Sequence, residues 1–227
     1  LVVEFRLYDD STITTGGLYV DDITITSTAG SITLPSGEVV SDNTGGGDTG
    51  GGDTGGGTGA ELYISEYVEG SSNNKAIEIF NPTNGAIDLA AGNYVLSRYS
   101  NGGTSPSNIT LSGTVAAGDV FVIANGSSVA EILAQADQTT GSISHNGDDT
   151  YVLSKDGVAI DSFGQVGFDP GAAWGSGSTS TANNTVRRLS SVSAGDTVVD
   201  DVFDPGLEWA GFGNDQFGDL GSHNGST

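Results

Sequence analysis

The chain has 227 residues, with 29 Asp+Glu against 6 Lys+Arg for a formal net charge of -23, 37 glycines, and neither cysteine nor methionine. That balance builds no basic phosphate-tracking surface, so direct nucleic-acid binding is not expected. Without thiols there is no disulfide, thiolate metal site or thiol nucleophile, and no apolar run reaches the roughly 18 residues that a membrane span needs.

The first element comes at once. Val3, Phe5 and Leu7 alternate with Glu4, Arg6 and Tyr8, the period-2 pattern of a half-buried strand. A polar turn ending in Gly16-Gly17 leads to a second β-rich run, Leu18 to Thr26, which includes Val20, Asp21, Asp22, Ile23 and Ile25. A weaker third run covers Ser31 to Leu34. Two or three strands cannot cover both faces of a sheet, and a lone hairpin is marginal in water. Residues 1–40 therefore read as an incomplete β unit whose partner is another copy or an upstream β domain. Val3, Phe5, Leu7, Leu18, Val20, Ile23 and Ile25 are its expected assembly positions. With no initiator Met and no signal peptide, the sequence reads as a processed chain or a fragment.

Residues 41–60 change character. Asp48-Thr49 and Asp53-Thr54 are each followed by three glycines, as Asn43-Thr44 is before them, and no apolar side chain interrupts the repeat between 43 and 59. Such a segment has nothing to bury and reads as a flexible linker, spanning about 20–25 Å as a random coil. The alternative is a calcium-binding or glycan-bearing strip. Against calcium, the repeat lacks the apolar anchor that calcium-binding glycine repeats carry.

From residue 61 to 227 short strands follow one another: Leu62 to Val68, Lys75 to Phe80, Tyr94 to Leu96, Asn108 to Leu111, Val120 to Ala124, Tyr151 to Leu153 and Val158 to Phe163. Asn81-Pro82, Asn84-Gly85, Gly102-Gly103 and Asn146-Gly147 punctuate them, which is the signature of an all-β sandwich. Ser128 to Ala136 is the one helical stretch, with Val129, Ile132, Leu133 and Ala136 at helical spacing.

No catalytic constellation is legible along this stretch. His145 sits in a turn signal and His223 close to the C-terminus, both read as surface or turn residues, and no metalloprotease, nucleophile-elbow or phosphate-loop motif occurs. Acid pairs are numerous: Asp9-Asp10, Asp21-Asp22, Asp148-Asp149 and Asp200-Asp201 with Asp204. Most read as solvated surface acids. Asp21-Asp22 is the best candidate for Ca2+, because neighbours on a strand face opposite ways and one must turn inward or find a partner. Of Arg187-Arg188, one is expected to face the core and pair with an acid, such as one of the Asp200–Asp204 group. Trp174, flanked by Ala173 and Gly175, is open to two readings, packed core or an exposed ring that stacks on a sugar. Sequons at Asn108, Asn125, Asn183 and Asn224 are possible glycosylation sites.

The order of these features resembles a lamin-tail domain. The matching series is Leu62-Tyr63-Ile64-Ser65-Glu66-Tyr67, Lys75 to Asn81, Ile87-Asp88-Leu89 leading to Tyr94-Val95-Leu96, Val120 to Ile123, Asp148 to Leu153 and Val158 to Gly164. Thr185 to Arg188, Phe203-Asp204-Pro205, Glu208-Trp209 and Leu220 to His223 are similar to the variant found in secreted bacterial proteins, often beside an extracellular endonuclease domain. One departure is Ala76-Ile77, where the family often has a tryptophan before the isoleucine. The resemblance covers about residues 61–223 and implies an immunoglobulin-like sandwich without chemistry of its own, serving attachment. Residues 1–27 are similar to the closing strands of secreted bacterial jelly-roll domains, through Gly17-Leu18-Tyr19-Val20-Asp21-Asp22-Ile23. Together these readings give an extracellular or cell-surface, non-enzymatic protein. Its expected partners are copies of itself, or extracellular proteins and glycans, with strand exchange building a filament. The alternative is an accessory module of a longer secreted nuclease or other hydrolase.

Overall fold

The computed structural model describes residues 23–27, 30–34 and 60–223, and the chain divides into two units, Leu1–Thr54 and Gly55–Thr227. In the first, β1 (Ile23–Ser27) and β2 (Gly30–Leu34) pair antiparallel, from Ile23 opposite Leu34 to Ser27 opposite Gly30. This sheet has two strands among the described residues and no third. Ile23 and Ile25 lie on β1. Val3, Phe5, Leu7, Leu18, Val20, Asp21 and Asp22 lie outside the described residues, as does the glycine repeat up to residue 59.

The second unit is the sandwich. Its strands are β3 (Tyr63–Glu69), β4 (Lys75–Phe80), β5 (Ile87–Asp88), β6 (Tyr94–Tyr99), β7 (Ser107–Thr110), β8 (Thr114–Val115), β9 (Val120–Ala124), β10 (Gln138–Thr139), β11 (Thr150–Lys155), β12 (Val158–Phe163), β13 (Asn184–Arg188) and β14 (Trp209–Gly211). Two one-turn α-helices, α1 (Ala130–Leu133) and α2 (Pro205–Glu208), and a 3-10 turn at Gly177–Thr179 complete it. One sheet runs β10-β9-β4-β3-β13-β14 and the other β12-β11-β6-β7, while β5 and β8 form a small clasp of their own. All pairings are antiparallel except β9 with β10.

The main core fills the space between the two large sheets: Ile64, Tyr67, Ile77, Ile79, Phe121, Ile123 and Val186 face Tyr94, Leu96, Ile109, Tyr151, Leu153 and Phe163. A second cluster lies on the opposite face of the six-stranded sheet, where Val68, Ala76, Val122 and Ala124 are covered by Ile132 of α1 and by Phe217 and Leu220. Burial on both faces explains why Val120–Ala124 is apolar at every position rather than alternating. A bulge between Ile64 and Glu66 shifts the parity of β3. Ile64 and Tyr67 can then both point into the main core, while Glu66 and Val68 share the other face.

The helix expected over Ser128–Ala136 closes after one turn. Val129 at its entrance is extended and offers no side-chain cap, and the Gln135 N–H bonds to the Ile132 carbonyl at 3.0 Å, tightening the exit. Asp204 caps α2 through its Oδ1, which accepts from Gly206 N at 2.9 Å, and Pro205 opens the turn.

At β14 a glycine is required by space. A Cβ on Gly211 would lie 1.5 Å from the Ser178 carbonyl oxygen. Gly211→Ala is therefore expected to cost about 1–3 kcal/mol by overpacking, read as a lowered urea midpoint with an unchanged slope.

Candidate functional site

Three polar networks sit inside the sandwich. In the first, Arg188 at the end of β13 is 1 % exposed and its Nη1 donates to Asp161 Oδ1 and Oδ2 at 3.0 and 2.8 Å. Its Nη2 donates to Glu208 Oε2 at 2.8 Å, and the guanidinium lies against the rings of Trp209 and Tyr63. Asp161 also accepts the N–H groups of Ile64, Ser162 and Asp196. Burial raises its pKa, and Arg188 and these hydrogen bonds oppose that rise. The Asp200–Asp204 group takes no part. Asp200 and Asp201 are exposed and Asp204 caps α2, so one arginine does turn inward onto an acid, but that acid is Asp161 rather than one of the Asp200–Asp204 group.

The second network crosses three adjacent strands. Arg187, Glu66 and Glu78 stand side by side on β13, β3 and β4, beneath the chain segment that carries Asp219 and Gly221. Arg187 Nε lies 3.3 Å from Glu66 Oε2 and 3.8 Å from Asp219 Oδ2. Glu78 accepts from Ser65 Oγ at 2.7 Å and from Gly221 N at 2.8 Å, while Glu66 Oε1 is buried without a hydrogen-bond partner. One guanidinium thus faces three carboxyls. Burial, and then the neighbouring Glu78 charge, pushes Glu66 up to about 8. Burial pushes Glu78 up to about 7 against its two hydrogen bonds.

The third network overturns the surface reading of His145. The ring is fully buried, with Nε2 2.8 Å from the Val68 carbonyl and Nδ1 2.8 Å from the Tyr151 hydroxyl. The carbonyl can only accept, so Nε2 carries the proton and Nδ1 accepts from Tyr151. Burial pushes its pKa down to about 3, and the ring stays neutral in ordinary buffers. His223 is half-buried against Phe80 and Tyr63. These networks point inward and offer no reacting group to a ligand. Among the described residues no group of three or more His, Asp or Glu side chains is placed to hold a metal ion, and no helix is long and apolar enough to cross a membrane.

Trp174 belongs to the packed interior. It is 3 % exposed, its Nε1 donates to the Asp149 carbonyl at 3.2 Å, and its ring meets Phe203 edge-on at 5.6 Å. The exposed sugar platform is thereby excluded. Among the sequons, Asn125 is buried and its Nδ2 donates to the Ile143 carbonyl at 2.7 Å, so it is corrected to a structural residue. Asn108 and Asn183 are exposed, and Asn224 lies outside the described residues.

One surface open to other molecules is the exterior of the four-stranded sheet. Its outer face is a shallow groove of about 380 Å³ lined by Val95, Ser97, Tyr99, Asn108, Val152 and Ser154, among others. Along one side of it runs β7, paired among the described residues only with β6. The side-chain amide of Gln138 occupies the end of that edge, donating from Nε2 to the Thr110 carbonyl at 3.0 Å and accepting at Oε1 from Ser112 N at 3.2 Å.

The model of the Lamin Tail Domain family matches residues 56–167, bearing out the resemblance over that range; the family's domain is a non-catalytic, immunoglobulin-like one. The match ends just past β12. The two strands that follow, β13 and β14, nevertheless complete the six-stranded sheet. No curated protein and no solved structure matches the chain.

Proposed function

With a lamin tail domain over residues 56–167 as the premise, we propose that this chain is a non-catalytic attachment protein of the cell exterior that assembles by β-strand donation between copies. The observation that carries this reading is the two-stranded sheet of β1 and β2, with no third strand beside it among the described residues. Such a ribbon is marginal alone and gains stability by joining a larger sheet. Main-chain hydrogen bonds supply the affinity of strand addition and pockets for alternate side chains supply its specificity. A contact in which one copy gives and the next receives does not close on itself, so it propagates.

The second reading, an accessory module of a longer secreted nuclease or other hydrolase, is favoured by the family match, since the matched domain has no chemistry of its own. Sedimentation velocity over a hundredfold range of protein concentration separates the two. Donation between copies predicts species that lengthen as concentration rises. A single monomeric boundary throughout would leave the accessory reading in place and remove the filament. A magnesium-supplemented nuclease assay is expected to give no turnover in either case.

A further inference from the structure

We propose that the face carrying Val202 and Leu207 docks a segment of another protein in which an aliphatic side chain is flanked by lysine or arginine. The inference goes beyond strand donation and does not depend on it. It gives the non-catalytic sandwich a surface for attachment.

Val202 and Leu207 are 84 % and 75 % exposed, the two most exposed large apolar side chains among the described residues. Both line one pocket of about 100 Å³, whose remaining apolar wall is Phe203 and Trp209. That volume is far below the roughly 300–1,000 Å³ of a small-molecule site, so it suits one side chain of a larger partner. Single exposed apolar residues are ordinary. Two of them around a pocket with aromatic walls mark a place of contact. The pocket is also held in shape. Phe203 meets Phe163 edge-on at 5.0 Å and Trp174 at 5.6 Å, and Trp209 meets Phe163 at 4.9 Å. Asp204 caps the start of α2 through Gly206 N, and Leu189 N bonds to the Glu208 carbonyl at its end at 2.8 Å. A surface formed in advance loses little freedom on binding.

Charge sets the chemistry of the partner. Asp196, Asp204 and Glu208 line the same pocket, and Asp200-Asp201 immediately precede Val202. Glu208 is answered by Arg188. The four aspartates have no cation within ion-pair distance among the described residues. From Leu189 to Thr227 the sequence holds no lysine or arginine to supply one. A purely apolar partner would desolvate these carboxylates without pairing them. A partner with basic residues beside its apolar anchor pairs them as it docks. A second copy of this chain does not meet that description. Lys75, Arg98, Lys155, Arg187 and Arg188 are each engaged by an acid of their own fold, and Arg6, the sixth cation, has Glu4, Asp9 and Asp10 close by in sequence.

The test is fluorescence anisotropy of the full chain with three labelled peptides. The first has a leucine flanked on both sides by lysine and arginine, the second has serine for that leucine, and the third has glutamate for every basic residue. The first is expected to bind at least about tenfold more tightly than the other two, and to weaken as salt is added. Val202→Ser with Leu207→Ser, and separately Asp200→Asn with Asp201→Asn, are each expected to weaken it at least about tenfold. All four side chains are exposed, so circular dichroism should not change. Equal affinity for the leucine and serine peptides, or binding that survives the loss of Val202 and Leu207, reduces the contact to general attraction by an acidic surface and overturns the proposal. Failure of the first peptide to bind overturns it as well. Self-association of the parent chain that vanishes in the Val202 and Leu207 double variant makes this face a contact between copies and overturns the basic partner.

Discussion

Replacing Arg188 with methionine is expected to cost the sandwich about 3–5 kcal/mol, the penalty for leaving a buried charge without its partner. Asp161 is 0 % exposed, and its other partners are main-chain N–H groups that cannot neutralise it. Glu208 would lose its guanidinium contact too, but it sits at the rim and can turn to water. The measurement is urea unfolding of both proteins. The double variant Asp161→Asn with Arg188→Met is expected to recover a large part of the loss, because it removes the charge as well as its counter-charge. Equal stability of parent and Arg188→Met would show that the pair contributes nothing.

Alkaline pH is expected to weaken the fold through Glu66 and Glu78. Both carboxyls have an ordinary value of 4.5 and are pushed up, to about 8 and about 7, by burial first and by neighbouring carboxylates after it. The folded chain therefore holds protons that the unfolded chain releases near 4.5. The stabilisation is fully present below that value and is lost as pH rises through about 7 and then about 8. The melting temperature should fall steadily from mildly acidic to mildly alkaline buffer. Glu66→Gln and Glu78→Gln, which keep the shape without the titration, should each flatten the slope and raise stability at the alkaline end. Asp148, Asp149 and Asp161 are also raised by burial and slope the same way, so the difference between parent and glutamine variants is the diagnostic quantity. Identical slopes would mean that the two glutamates are ionised and solvated in the folded chain.

How far the sequence speaks for itself differs from strand to strand. Lys75–Phe80, Val120–Ala124 and Val158–Phe163 were legible to the residue, because apolar runs between turn residues have few other uses. Asn184–Arg188 and Trp209–Gly211 were not. The arginine pair announces that one side chain turns inward, but not which acids receive them, since Asp161 and Glu66 come from other strands. His145 misleads for the same reason. Its neighbours Asn146-Gly147 announce a turn, but the Val68 carbonyl that holds the ring is 77 positions earlier. Nothing in the local pattern of Trp174 distinguishes a packed ring from a presented one. That β7 ends its sheet among the described residues is invisible in sequence, since it depends on which strands stop beside it.

The order β4-β3-β13-β14 ties the middle of the six-stranded sheet to residues that come more than a hundred positions later. A nascent chain released N-terminus first would keep one flank of β3 bare until Asn184–Arg188 had emerged, whereas Asp161 would wait only 27 positions for its arginine. Closure of this sheet is thus postponed until those residues have been made. Any protease that trimmed the chain just after the matched domain would leave a raw, sticky β3 rather than a shortened but tidy sandwich.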